Sequence, residues 1–180
     1  MSILDPRNQE PLDITKCVRN LRDVRLFQDL SEEQLASIAG LCELVIKVRG
    51  DFIAREGAPA ESVYILLTGE VTIAKQLRLP QVTQARLEDR VLTRLSSEGR
   101  PPLGETLLVG QTVRTTTIKC ASGCVLYKLN AQRLRALLLA EPVIGLPVYR
   151  RLSELLHERL QSSNTDVVKL SAALVYALED

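Results

Sequence analysis

Two periods divide this chain: apolar residues recur every three or four positions at its ends, and every second position through its middle. Lys16 to Val24 places Val18, Leu21 and Val24 at helical intervals. Ser31, with Gln34 three residues on, makes a capping box ahead of a helix carrying Leu35, Ile38 and Leu41, with Gly40 near its end. The period then falls to two. Leu44, Ile46 and Val48 alternate with Val45 and Lys47 and close on Gly50-Asp51, and Phe52 to Gly57 reads as a short strand ending in a turn. Val63 to Leu67 runs through Thr68-Gly69-Glu70 into Val71 and Ile73, and Val91 to Leu95 follows after the polar stretch Lys75 to Asp89. That stretch reads as a disordered loop or an extended hairpin. Two more strands, Thr116 to Cys120 and Val125 to Leu129, flank Ser122-Gly123.

Helical spacing then returns. Asn130 is placed to cap a helix with Leu134, Leu137 and Leu138 on one face, and Pro142 marks its end or the next start. From Tyr149 a long helix is expected, with Leu152, Leu156, Leu160, Ser163, Val167, Leu170, Leu174 and Ala177 at steps of three and four. Ser162 to Asp166 either continues that helix or breaks it, because serine and asparagine are poor mid-helix residues. Short glycine-punctuated strands between helical ends predict an α+β fold: an antiparallel β-roll of the double-stranded β-helix or jelly-roll type, with N-terminal helices and a long C-terminal helix.

Composition narrows the function classes. A chain of 180 residues that is 46% apolar is expected to be globular. A net charge of +1, without a Lys/Arg block, provides no field for nucleic acid, so no DNA partner is expected. No apolar run reaches the length of a membrane span and the N-terminus is no signal peptide, so the expectation is a cytoplasmic protein without a membrane partner. Cys17, Cys42, Cys120 and Cys124 form no C-x-x-C pair and His157 is the sole histidine, so neither a metal site nor a cofactor is expected. Cys120 and Cys124 read as small buried side chains beside a tight turn. The chain has no phosphate loop with Gly-Lys-Ser/Thr, no nucleophile elbow and no H-E-x-x-H, so it does not read as an enzyme.

The chemistry concentrates in Leu103-Gly104-Glu105-Thr106-Leu107-Leu108, followed by Val113-Arg114-Thr115-Thr116-Thr117. This stretch resembles the phosphate-binding cassette of cyclic nucleotide-binding domains, found in the catabolite activator protein family, kinase regulatory subunits and cyclic-nucleotide-gated channels. The family pattern is roughly F-G-E-(apolar)-A-L-(apolar)-x-x-x-P-R-(A/S/T)-A-T. Gly104, Glu105, Leu108, Arg114, Thr115 and Thr117 fall on it without a gap. Leu103, Thr106, Leu107 and Val113 depart from it, and Leu107, where relatives carry a small residue, is expected to crowd the pocket. Leu26 to Ser31 is similar to the entry phrase of the family, and Gly50-Asp51 through Glu56-Gly57 to Val63-Tyr64-Ile65-Leu66 and Gly69-Glu70-Val71 is similar to its strand order. The resemblance implies a lead-in with a short helix over 1–25, a cyclic nucleotide-binding roll over 26–140 with the cassette at 103–117, and a C-terminal lid or dimerisation helix over 141–180.

It also implies roles that suit these residue types. Arg114 offers a planar fork with two parallel charge-assisted hydrogen bonds to the phosphate. Glu105, acceptor-only when ionised, suits the ribose 2′-hydroxyl and disfavours a 2′-deoxy analogue. Gly104 allows close backbone approach, Thr106 and Leu107 begin a short helix whose N–H groups face the phosphate, and Thr115 adds a hydroxyl. In the catabolite activator the C-terminal helix pairs with its two-fold mate and reaches the base, and Ser163 and Asn164 fall at that base-reading position. Thr115 is similar to the threonine that follows the arginine in cGMP-selective kinases. The resulting expectation is a stand-alone receptor, without a helix-turn-helix. Its ligand is cAMP in preference to cGMP, and it forms a homodimer through the C-terminal helix that signals to an effector protein of unknown identity. The alternative is a nucleotide-free interaction or dimerisation module on the same fold.

Overall fold

The computed structural model describes residues 12–76 and 89–179. The N-terminal part holds two helices, α1 (Ile14–Arg22) and α2 (Glu32–Ala39). Asp13 caps the first by accepting from the Lys16 backbone N–H at 3.1 Å. The expected capping box starts the second: the Gln34 N–H donates to Ser31 Oγ and the Ser31 N–H donates to Gln34 Oε1.

Eight strands follow among the described residues: β1 (Cys42–Lys47), β2 (Phe52–Ala54), β3 (Ser62–Thr68), β4 (Glu70–Gln76), β5 (Asp89–Ser96), β6 (Pro102–Leu103), β7 (Thr117–Cys120) and β8 (Cys124–Asn130). They form two antiparallel four-stranded sheets, ordered β1-β8-β3-β6 and β2-β7-β4-β5. The expected α+β roll with helices at both ends is therefore the observed fold. Most of the polar stretch between β4 and β5 lies outside the described residues. Its flanks pair antiparallel, Lys75 opposite Arg90 and Gln76 opposite Asp89.

The side-chain alternation explains why β3 reads as an unbroken apolar run. Tyr64 and Leu66 point toward the second sheet, packing with Ile53, Val71, Leu103, Ile118 and Leu126. Val63 and Ile65 point the other way, into a larger core with Phe27, Leu35, Ile38, Tyr127, Leu134 and Leu138. The first sheet is covered on both faces at its centre, which selects apolar residues at successive positions. Its edge differs: on β1, Leu44 and Ile46 are exposed although their alternation is strand-like. Cys17 and Cys42 lie in the helical core, and Cys120 and Cys124 lie between the sheets, all four as buried thiols.

Two helices end the chain, α3 (Ala131–Ala140) and α4 (Pro142–Glu179). Asn130 caps α3 through the Arg133 N–H at 2.9 Å. The second starts earlier than Tyr149, because Pro142 fits a first helical turn, where no N–H is needed. It also runs unbroken through Ser162 to Asp166. Pro147 lies inside it and cannot donate to the Val143 carbonyl. Gln34 supplies the missing donor: its Nε2 reaches Val143 O at 3.2 Å while its Oε1 closes the capping box of α2. Gln34→Ala removes both bonds, and a loss of about 1 kcal/mol is expected, read as a fall of about 2–4 °C in Tm by calorimetry.

The two halves of α4 have different surroundings. Ile144, Val148 and Leu152 are buried in the helical core. From His157 onward every side chain the structure describes is exposed, so roughly 30 Å of helix projects from the body. Ionic contacts hold the helix to the body. Arg150 and Arg151 donate to Asp29, each with a bond of 2.7 Å, and Arg25 pairs with Glu158. Arg151, then Arg150, holds the Asp29 carboxyl at about 2, well below the usual carboxylate range.

Candidate functional site

The cassette is a tight piece of backbone. After β6, Gly104 adopts a left-handed conformation (φ 79°) and opens a 3-10 helix, Glu105–Val109, which ends on Gly110 at φ 101°. A side chain at Gly104 would meet more than torsional strain, since a Cβ there would lie 2.2 Å from Arg114 Nη1. The cassette arginine thus packs directly over the cassette glycine.

Arg114 is fixed from both sides. Its N–H donates to Ala58 O and its carbonyl accepts from the Gly57 N–H, both at 2.9 Å, and Pro59 bridges to Val113. The guanidinium donates through Nη2 to Ser62 O at 2.6 Å and lies 5.8 Å from the Tyr64 ring centroid. Among the described residues no carboxylate makes a salt bridge with it. Burial pulls its pKa below the ordinary guanidinium value, while Tyr64 and Glu105 pull the other way. Arginine does not lose its proton under these conditions. The result is a half-buried, oriented cation with capacity for an anion.

Glu105 is the second anchor and is 2% exposed. Its Oε1 accepts from Arg159 Nη1, a residue of α4 whose side chain is 47% exposed. Both anchors line one cavity of about 170 Å³, together with Gly104, Thr106, Gln111, Thr115, Thr116 and Arg159. In a 3-10 turn the first N–H groups have no partner within the turn, which leaves those of Glu105 and Thr106 at this cavity. The Leu107 N–H donates to Gly104 O at 3.2 Å.

The expected residues divide in three. Gly104, Glu105, Thr106, Arg114 and Thr115 come together around the cavity. Leu107 borders it, but its side chain is 3% exposed and packs into the helical core with Leu108, Leu134 and Leu138. Ser163 and Asn164 are exposed on the projecting half of α4 and do not line the cavity of their own chain. Sequence reasoning missed Ser62, whose carbonyl seats Arg114, and Arg159, which is paired with Glu105. Ser62 had a weak signal, as a polar residue opening an apolar strand. Arg159 had none, since 54 residues separate it from Glu105.

Chemically, the cavity presents a fixed cation, backbone N–H groups, hydroxyls and a buried carboxylate acceptor. It suits a small anion that also carries a hydroxyl. Its floor is mechanically joined to α4. Leu107 and Leu108 pack in the same core as Ile144, Val148 and Leu152, and Tyr149 Oη donates to Leu108 O at 3.4 Å.

Comparison with known proteins places this arrangement. The family profile of the cyclic nucleotide-binding domain matches residues 47–141. Isozyme 1 of the cGMP-dependent protein kinase of Drosophila melanogaster is 33% identical over 105 residues, which are 58% of this chain and 13% of the kinase. The chain thus spans about a tenth of the length of the curated kinases it matches. Among solved structures, the regulatory domain of Toxoplasma gondii PKA with cAMP superposes with a TM-score of 0.59 at 25% identity, over 71% of this chain and 46% of that one. A cyclic nucleotide-binding domain from Methylobacillus flagellatus KT gives 0.69 at 21% identity, over 86% and 82%. Among the described residues no helix is long and apolar enough to cross a membrane. With its roll, cassette and profile match in agreement, the chain belongs to the cyclic nucleotide-binding domain family, a family of regulatory modules.

Proposed function

We propose that this chain is a cyclic nucleotide receptor in which Arg114 takes the phosphate, Glu105 takes the ribose 2′-hydroxyl, and α4 carries the response to a partner. The observation that carries this reading is the half-buried Arg114 guanidinium, seated on Ser62 O and lacking a carboxylate partner among the described residues, beside a buried acceptor on the same cavity. A nucleotide-free docking module has no need of such a cation, because an unneutralised buried charge is costly to keep.

The base is chosen between two sets of side chains. Thr115 lines the cavity next to Arg114, which supports guanine. Ser163 and Asn164 support adenine only if α4 of a second copy brings them over the site. A thermal-shift series tests the receptor reading: cAMP or cGMP is expected to raise Tm in proportion to its affinity, and linear 5′-monophosphates are expected to leave it unchanged. Equal shifts with linear and cyclic forms would count against a cyclic nucleotide site.

The projecting half of α4 supports the homodimer. Leu160, Val167, Leu170 and Leu174 follow one another at steps of seven, three and four, and all are exposed in the single chain. A parallel two-stranded seam between copies buries that stripe. Sedimentation is expected to give a dimer for the native chain and a monomer for Leu170→Asp.

A further inference from the structure

Among the described residues that line the cassette cavity, all belong to the roll except Arg159, which comes from α4. Its guanidinium is bonded to the Glu105 carboxylate, the acceptor assigned to the ribose. At about 170 Å³ the cavity is also small; pockets that enclose drug-sized ligands run from about 300 to 1,000 Å³. A nucleotide that reaches Glu105 therefore meets Arg159 first.

We infer that Arg159 is a latch: it holds the ribose acceptor while the site is empty, and the ligand's 2′-hydroxyl displaces it and frees the outer half of α4. The inference rests on the receptor reading above. The direction of the exchange follows from unequal burial. The Arg159 side chain is 47% exposed and its head is rehydrated as soon as it lets go, whereas the Glu105 side chain is 3% exposed and has no such recourse. A buried carboxylate left without a donor is strongly disfavoured. The pair thus opens only when another donor takes the place of Arg159, and the 2′-hydroxyl of a cyclic nucleotide is that donor. A 2′-deoxy analogue can neutralise Arg114 but cannot satisfy Glu105, so it binds without opening the latch.

The position of Arg159 makes the release consequential. It lies two residues after the first wholly exposed stretch of α4 begins, beside Glu158, which pairs with Arg25. Together these contacts are the outermost tethers that the structure shows between α4 and the body, and the exposed leucine stripe begins at Leu160. Among the described residues, loss of the Glu105 contact leaves Glu158 as the remaining side-chain tether of the projecting half. Ribose recognition and helix release are then one event, as a ligand-driven switch requires: the ligand must interact differently with the two states.

The test uses the full chain, its Arg159→Ala variant and the charge-keeping Arg159→Lys variant. Each is titrated with cAMP, cGMP and their 2′-deoxy analogues, and backbone hydrogen exchange along α4 is followed without ligand. Removing the competitor is expected to tighten ribonucleotide binding about tenfold, the scale of one charge-assisted hydrogen bond discounted for its exposed partner. The ratio of ribo to deoxy affinity is expected to rise with it. Arg159→Lys is expected to fall between, since a lysine keeps the charge without the planar fork. Exchange just past residue 157 is expected to be faster in Arg159→Ala than in the native chain. Weaker ribonucleotide binding by Arg159→Ala would make Arg159 a ligand contact and overturn the latch while leaving the receptor reading intact. Unchanged affinity together with unchanged exchange would also overturn it. No binding of any cyclic nucleotide by folded native or variant protein would overturn the receptor reading itself, and the ligand trigger with it.

Discussion

Arg114→Ala is expected to weaken cyclic nucleotide binding by at least a hundredfold while leaving the fold standing. Two charge-assisted hydrogen bonds from a planar guanidinium are worth roughly 1.5–3 kcal/mol each, and a hundredfold loss is about 2.7 kcal/mol, so even heavy solvation losses leave an effect of that size. Stability is a separate matter. The side chain contributes one bond, to Ser62 O, and carries a charge that burial already disfavours. Its removal is expected to shift stability by no more than about 1 kcal/mol. Arg114→Lys completes the comparison: a point charge without the fork is expected to recover part of the affinity. Calorimetric titration of the three proteins reads the affinities and thermal melts read the folds. A variant that melts normally and binds as well as the native chain would remove the phosphate role.

Gly145→Ala is expected to be strongly damaging although it adds a single methyl group. Gly145 is buried where α4 crosses α3, and a Cβ there would lie 2.0 Å from the Leu138 carbonyl oxygen. That neighbour is backbone, so it cannot rotate aside, and the two helices must separate. Overpacking of this kind typically costs about 1–3 kcal/mol, and the rigid neighbour places this site at the upper end. For a chain of this length the corresponding fall in Tm is about 6–10 °C, measurable by calorimetry. A second consequence separates this glycine from an ordinary core position. Moving α4 off α3 shifts Arg159 relative to Glu105, so ligand affinity is expected to change with the melting temperature. A melt within 2 °C of native, about half a kcal/mol, would show that the crossing is looser than its backbone spacing implies.

What could be read from residues alone was set by how local the cause was. The capping box at Ser31 and Gln34, the Asn130 cap and the alternation of Val71 and Ile73 in β4 each depend on neighbours within a few positions, and each is found as expected. The cassette was legible because Gly104, Glu105 and Arg114 keep their spacing in sequence and meet across one short turn. Long-range causes were hidden. Nothing near Pro147 indicates that a helix can run through it; the donor that satisfies Val143 O comes from Gln34, 109 residues away. Leu107 looked like an obstruction because a small residue is usual there, but the 3-10 turn directs it into the core shared with α3 and α4. Ser162 to Asp166 carries weak helix formers, yet the helix continues, and Thr165 and Ser171 bond back to the carbonyls of Gln161 and Val167. Arg159 is the instructive omission: the sequence showed both anchors of the site but not the residue that occupies one of them.

Isothermal titration of the native protein with cAMP and with cGMP tests most directly whether the cassette of this chain binds a cyclic nucleotide. Saturable heat at one site per chain, with the tighter of the two ligands identifying the base, is the predicted result. Flat traces with both nucleotides, from protein shown to be folded, would contradict the claim and leave a roll that docks partners without a ligand.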